Sequence, residues 1–220
     1  MGSKYLVLAA FLAPLAMAGA AQSASQPGPD APREGDAQVA AVTRLCNKLD
    51  CRKSVRNLSL TAAGGKTVEA STERYPYIDD QGAIVIYPGE TIGTYIAEQG
   101  DAFGKPALAS VAGLDGPVKL DFPHADVANL TFKFEEVGKG KPGMFLTLDS
   151  HIDAVIKYNL LMFVSTPKGY RAVPTSSCTL LPPQPGMKTF YGTEHWLHPV
   201  LMLVITNIRA LPKGSPMMCE

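Results

Sequence analysis

Alternation of apolar and polar residues dominates the second half of the chain and predicts β-strands. Leu130, Phe132 and Phe134 alternate with polar residues, which is the pattern of a half-buried strand. The same period of two recurs at these apolar positions: Met144, Leu146, Leu148, Ile156, Tyr158, Leu160, Met162 and Val164. The residues between Ile156 and Val164 are mixed in polarity, so we expect that strand to be central in its sheet.

Weaker strand signals occur along the rest of the chain. Strands are predicted over residues 55–60, 67–72, 83–87, 90–96, 118–122, 170–181, 187–196 and 200–208. The last of these is apolar on both faces and is expected deep in a sheet. Pro88-Gly89 is typical of a type II turn, because Pro fixes φ at i+1 and Gly accepts positive φ at i+2. We therefore expect residues 90–96 to return beside residues 83–87.

Helical periodicity is confined to one short segment. Val39, Val42, Leu45 and Leu49 are spaced near 3.6 residues and predict a helix over residues 39–49. About nine to eleven short strands with frequent turns then indicate an antiparallel sandwich or barrel. We predict an all-β fold, an immunoglobulin-like β-sandwich with a short N-terminal helix. Its core is expected to include the following residues: Tyr158, Leu160, Met162, Leu203 and Ile205.

The N-terminal segment has the pattern of an export signal. Lys4 precedes an apolar run from Tyr5 to Met17, and small residues follow at Ala18-Gly19-Ala20. We predict a signal peptide over residues 1–20, with an uncleaved N-terminal anchor as the alternative. Residues 21–38 lack aromatic and large aliphatic residues, so they predict a disordered linker. Residues 39–220 are then expected to form a single β-sandwich domain.

Composition excludes some classes of function. The 220 residues carry 20 basic and 20 acidic side chains, a net charge of zero, so the electrostatic footprint of a nucleic-acid-binding protein is absent. We expect no nucleic-acid partner and no transmembrane segment in the mature chain. The partner is instead expected to be a protein or another envelope component.

The four cysteines are interpreted as two disulfide bonds, since an exported chain meets an oxidising compartment. Cys46, Cys51, Cys178 and Cys219 allow three pairings, and the sequence does not select one uniquely. Proximity along the chain favours Cys46–Cys51 and Cys178–Cys219. The first bridge requires the helix to stop before Cys51, because residues five apart in a helix exceed the Cα separation of a disulfide.

Two segments contain candidate chemistry for a metal ion or a small ligand. Asp149, His151 and Asp153 would share one side of an extended chain and suit a divalent cation or an acid–base pair. His195 and His198, with Glu194, would require a bend to converge. Turn residues and strand-end residues explain both segments without chemistry. We therefore predict no metal and no cofactor, and keep these residues as the candidate set.

Nucleophilic catalysis finds little support. Thr175-Ser176-Ser177-Cys178 offers hydroxyl groups, but the chain has no G-x-S-x-G elbow and no S-x-x-K motif. Without an identifiable base, a hydroxyl is expected to be structural. The sequence therefore assigns no catalytic residue.

Three short segments and the export signal carry a resemblance. Tyr87-Pro88-Gly89-Glu90-Thr91-Ile92, Thr175-Ser176-Ser177-Cys178 and Val204-Ile205-Thr206-Asn207-Ile208-Arg209 look like segments of small exported proteins of unknown function from Gram-negative bacteria. The resemblance implies no activity. The expectation is a non-catalytic periplasmic interaction or structural module. A binding module using residues 149–153 and 194–198 is the alternative, and an exported hydrolase is a further one.

Overall fold

The computed structural model describes residues 42–99, 102–113, 116–118, 128–138, 140–167, 169–187 and 190–219. The predicted signal peptide, the predicted linker and most of the predicted strand at 118–122 lie outside the described residues. Among the described residues no helix is long and apolar enough to span a membrane.

The fold is all-β, as predicted, with antiparallel sheets packed against each other. The strands are β1 (Asn57–Thr61), β2 (Thr67–Ser71), β3 (Ile84–Ile86), β4 (Glu90–Tyr95), β5 (Glu98–Gln99), β6 (Ala102–Phe103), β7 (Ala107–Gly113), β8 (Gly116–Val118), β9 (Leu130–Glu136), β10 (Met144–Ser150), β11 (Val155–Thr166), β12 (Gly169–Thr175), β13 (Phe190–Trp196) and β14 (Met202–Leu211). The immunoglobulin-like assignment stays a prediction.

Two sheets enclose the main core. One has the order β13-β10-β9-β4-β7-β8 and the other the order β12-β11-β14-β3. Their facing sides meet through Phe132, Leu146, Tyr158 and Leu203, all nearly inaccessible to solvent. Of the predicted core residues, Met162 is only partly buried. It lies towards the end of β11 and packs against the core from its margin.

The hairpin of β1 and β2 covers the outer side of the smaller sheet. Leu58 packs with Val85, Tyr87, Phe163 and Met202 in a second apolar cluster. This cover explains why β3 and β14 are apolar on both faces. The prediction that residues 200–208 lie deep in a sheet is confirmed, since β14 has β11 and β3 on its two sides.

The turn at Pro88-Gly89 forms as predicted. Gly89 has φ of 85°, and the Glu90 N–H donates to the Tyr87 carbonyl at 3.1 Å. The expected pairing of residues 83–87 with residues 90–96 is wrong, however. Strand β3 pairs with β14 and strand β4 pairs with β7 and β9, because the turn carries the chain from one sheet to the other.

The described helix covers residues 42–46, so the predicted end at residue 49 is wrong. A turn follows, in which the Leu49 N–H donates to the Leu45 carbonyl at 2.9 Å. This early end brings the Cα atoms of Cys46 and Cys51 to 5.4 Å, and the two residues are bridged. Cys178 and Cys219 form the second disulfide. Both favoured pairings are thus confirmed.

An irregularity interrupts the long ladder between β11 and β14. Lys157 pairs with Arg209 and Asn159 pairs with Thr206, so one extra residue lies on β14. Asn207 there has φ of 50°, a left-handed conformation that Asn tolerates better than most residues. This is a β-bulge on β14, which bends that strand locally and increases its twist.

Candidate functional site

The two predicted binding segments lie at opposite ends of one strand pair. Ser150 is paired with Phe190, whereas Met144 is paired with Trp196. Six residues of strand therefore separate the ends, or about 20 Å at 3.4 Å per residue. The antiparallel register therefore keeps residues 149–153 and 194–198 apart, since Asp149 is paired with Tyr191, three residues before Glu194. A binding module through either segment alone stays a prediction.

The first segment brings only two of its candidates together. The Oδ1 atom of Asp149 lies 3.9 Å from Nε2 of His151. This oxygen is buried and has no hydrogen-bond partner among the described residues. Asp153 follows in an exposed bend. In this segment, therefore, only the Asp149–His151 contact shows the convergence that was expected.

The second segment alternates between the two faces of its sheet. His195 is exposed and stacks on Phe145, with ring centroids 4.7 Å apart. Trp196 points into the core and donates from Nε1 to Oγ1 of Thr175 at 3.1 Å. His198 lies beyond the end of β13 and is exposed.

The Glu194 carboxylate is directed inward rather than towards the two histidines. The Tyr158 hydroxyl donates to Glu194 Oε1 at 2.9 Å, and the Cys178 N–H donates to the same oxygen. Burial raises the pKa of Tyr158, and the nearby Glu194 charge raises it further. Glu194 thus connects the six-stranded sheet to β11 and to the disulfide-bonded segment, which is a structural role.

Ser177 and Lys157 complete this buried polar group. The Lys157 ammonium donates to the Ser177 carbonyl, and the Ser177 hydroxyl donates to the Tyr158 carbonyl. Ser177 is only 1% exposed. Its hydroxyl is bound to backbone and shielded from solvent, so it does not present a surface nucleophile.

Sequence reasoning missed the most highly connected polar pair, Arg52 and Glu90. The guanidinium donates from Nε and Nη2 to the two carboxylate oxygens, at 2.7 and 2.6 Å. Its other donors reach the carbonyls of Tyr75, Pro76 and Val85. All five guanidinium N–H groups are therefore used.

Two aromatic rings enclose the same guanidinium. The Arg52 Cζ lies 4.5 Å from the ring centroids of both Tyr77 and Tyr87, within cation–π range. Burial raises the pKa of Tyr87 to about 12. Both charged partners are 4% exposed, so the pair has no access to a ligand. It joins the segment after the first disulfide to the turn between the sheets.

No metal centre is evident in the described part of the chain, where no three His, Cys, Asp or Glu side chains group closely enough to hold an ion. A groove of about 320 Å³ does lie between β1 and β9. Its charged lining is already engaged: Glu135 pairs with Lys133 at 2.8 Å, and Glu136 accepts from the Thr61 N–H. The groove thus lacks a convergent polar set directed at a ligand.

Three exposed apolar side chains lie on or beside β13. Met187, Tyr191 and Leu197 are 62%, 65% and 75% exposed. Met217 and Met218 are also exposed and lie on the C-terminal tail, which Cys219 ties to Cys178. Since the Cys178 N–H bonds Glu194 of β13, the tail is anchored beside that strand. We call these five residues the β13 margin.

No family model matches the chain, and no curated protein and no solved structure matches it either. The site must therefore be judged on its own geometry, which assigns the buried polar groups to structure and, among the described residues, places exposed apolar side chains at the β13 margin.

Proposed function

We propose that this chain is a non-catalytic interaction module, which functions in an oxidising compartment and contacts a partner polypeptide through the β13 margin. The observation that carries the proposal is the exposure of Met187, Tyr191 and Leu197 on and beside one edge strand. Exposed apolar surface along a strand edge is typical of protein-binding surfaces. The large aromatic Tyr191 is also of the residue types enriched at such surfaces.

The buried polar groups support the same proposal. A catalytic group needs access to its substrate, but Arg52, Glu90, Tyr158 and Ser177 are all buried and hydrogen-bonded within the protein. Their role in joining the two sheets accounts for these contacts without a reaction. An exported hydrolase has no comparable support.

Photo-crosslinking in cells tests the proposed contact surface. Benzoylphenylalanine would replace Tyr191 in the full chain, and Ser110 would be replaced in a matched control. Ser110 is exposed on β7, in the same sheet as β13 but remote from it. We expect polypeptide adducts from position 191 and none from position 110. Equal labelling, or no adduct at position 191, would overturn the proposal.

We also propose that the compartment is the periplasm or the exterior of the cell. The two disulfides support an oxidising compartment, and the export pattern of residues 1–20 supports delivery there. Cell fractionation with N-terminal sequencing checks this: the periplasmic or secreted chain is expected to begin near Ala21. Recovery of Met1 in a membrane fraction would indicate an uncleaved anchor instead.

A further inference from the structure

Strand β13 is a long sheet edge whose only inward-facing charge is Glu194. Proteins usually blunt their edges with proline, lysine, inward-pointing charges, bulges or very short strands. Here β8 contains Pro117 and β12 contains Pro174, while β3 has only three residues and is bridged to Ile78. By contrast, β13 is seven residues long, contains no Pro, Lys or Arg, and pairs with β10 without a register shift.

We propose that β13 pairs antiparallel with β13 of a second copy of this chain, about a two-fold axis through Thr193. This step rests on the proposed function, since it names the occupant of the β13 margin. The two β13 strands are antiparallel, and each face of one sheet continues into the same face of the other. The two-fold axis must therefore be perpendicular to the sheet. Only an axis at Thr193 then pairs all seven residues, and it merges two six-stranded sheets into one of twelve.

The outer face of the strand is complementary to itself in this register. Tyr191 of one copy lies opposite His195 of the other, and Thr193 lies opposite Thr193. All three side chains are exposed in the single chain. Aromatic pairs and Thr–Thr pairs are among the favourable cross-strand combinations. Because β13 contains no lysine, arginine or aspartate, none of these side chains meets a like charge across the join.

The inner face carries one acidic residue, Glu194, which lies opposite Gly192 of the second copy. The space above Gly192 is filled by the Leu180 side chain of its own chain, and the Glu194 carboxylate is bound by Tyr158 and Cys178. The two Glu194 residues are diagonal neighbours across the axis, about 7–8 Å apart, and these internal hydrogen bonds hold each carboxylate within its own chain.

A charge pair at the axis tests the proposal. Sedimentation equilibrium of the full mature chain is expected to show a monomer–dimer equilibrium. T193K places two lysines opposite each other and is expected to weaken dimerisation about fivefold or more. T193E should do the same. An equimolar mixture of the two variants should dimerise again, because lysine then faces glutamate. Ser110→Lys serves as the matched control and should dimerise like the unaltered chain.

The outcomes separate the inference from the proposed function. A chain that stays monomeric at all concentrations, or a dimer that T193K leaves intact, would overturn pairing through Thr193. If the chain is monomeric and position 191 crosslinks to a different protein, the second copy is not the partner. That result would still support the proposed interaction module. Circular dichroism of each variant verifies that the fold is retained.

Discussion

Arg52 shows how a single buried side chain ties distant parts of the chain together. Its partners lie 23 to 38 residues away along the sequence. Glu90 also accepts from the Tyr87 N–H at 2.8 Å, so the carboxylate fixes the turn that crosses between the sheets. Removing one partner of a buried ion pair leaves the other charge buried without compensation, which is strongly unfavourable. The pair therefore stabilises the fold relative to a variant that has lost one partner.

Arg52→Met is therefore expected to lower the free energy of unfolding by about 3–5 kcal/mol. The variant leaves the Glu90 carboxylate buried without a cation and removes the donors of three carbonyls. Lys133→Met is the matched control: its pair with Glu135 is 2.8 Å long but exposed, so the loss should be below about 1 kcal/mol. Urea unfolding measures both. Equal losses would contradict the role assigned to Arg52.

Buried tyrosines make stability sensitive to alkaline pH. Burial raises the pKa of Tyr158 and of Tyr87 above the ordinary value of 10.0. Above about pH 10 the unfolded chain releases protons that the folded chain keeps. The free energy of unfolding should therefore fall as pH rises from 10 towards 12, by about 1.4 kcal/mol per pH unit for each such tyrosine.

Tyr158→Phe should reduce the slope of the free energy of unfolding against pH by the contribution of one tyrosine, because phenylalanine has no proton to release. Tyr191→Phe, at an exposed position, is the matched control and should retain the slope of the unaltered chain. Urea unfolding at several pH values between 9 and 12 provides the slopes. Identical slopes for all three proteins would show that Tyr158 ionises as readily folded as unfolded.

The residues of the polar clusters could not be predicted from the sequence for a physical reason. Arg52 lies outside any periodic segment, and its partner is 38 residues away, so no local pattern links them. Glu194 was grouped with the histidines beside it, but strand alternation directs it to the opposite face. Its true partners come from β11 and from the segment before Leu180, which only the packed sheets bring close.

At the scale of elements, the disulfides hold segments that strand pairing alone holds weakly. Cys178 and Cys219 form an isolated bridge next to the Thr179–Met218 hydrogen bond. The tail beyond β14 has few other attachments in the described contacts. The bond therefore fixes the C-terminal part of the β13 margin.

Replacing the two cysteines of each disulfide by serines should show that the two disulfides stabilise the fold to different extents. Loss of Cys178–Cys219, which closes 41 residues, is expected to lower the free energy of unfolding by about 4 kcal/mol in the chain-entropy model. Loss of Cys46–Cys51, which closes 5 residues, should lower it by about 2 kcal/mol. Urea unfolding of the two double variants compares them. The reverse order would indicate that strain or local contacts dominate.

Leu203 tests the position of β14 at the centre of its sheet. Leu203 is completely buried, so Leu203→Ala should lower the free energy of unfolding by about 2–5 kcal/mol. Val55→Ala is the matched control, since Val55 is 57% exposed. A loss at Leu203 no larger than that at Val55, measured by urea unfolding, would place β14 at the periphery.

Strands were predictable where apolar and polar residues alternate, as in β9, β10 and β11, or where a continuous apolar run indicates burial on both faces, as in β14. Partners were less predictable, because alternation fixes the face of a residue but not its neighbouring strand. The Pro88-Gly89 turn therefore appeared with the expected geometry, while the strands that flank it belong to different sheets. The bulge at Asn207 was not predicted, because a polar pair such as Thr206-Asn207 also occurs in regular strands and does not itself mark an extra residue.

At the scale of the whole molecule, buried polar groups join the layers, and exposed apolar side chains flank one sheet edge. Arg52, Glu90, Tyr158 and Glu194 are hydrogen-bonded inside the protein, whereas Met187, Tyr191 and Leu197 are exposed on or beside β13. The candidate segments chosen from the sequence touch this region through His195, which lies on β13. The two segments do not meet, because pairing of β10 with β13 places them towards opposite ends of the strands.

Amide hydrogen exchange of the purified mature chain, at low and at high protein concentration, tests most directly whether β13 is the contact strand. We predict that exchange of residues 190–196 slows as concentration rises, because the free edge of β13 gains backbone partners from a second copy. The edge strand β12, residues 169–175, should be unchanged. Exchange at β13 that does not depend on concentration, or slowing at β12 instead, would contradict pairing of β13 with a second copy.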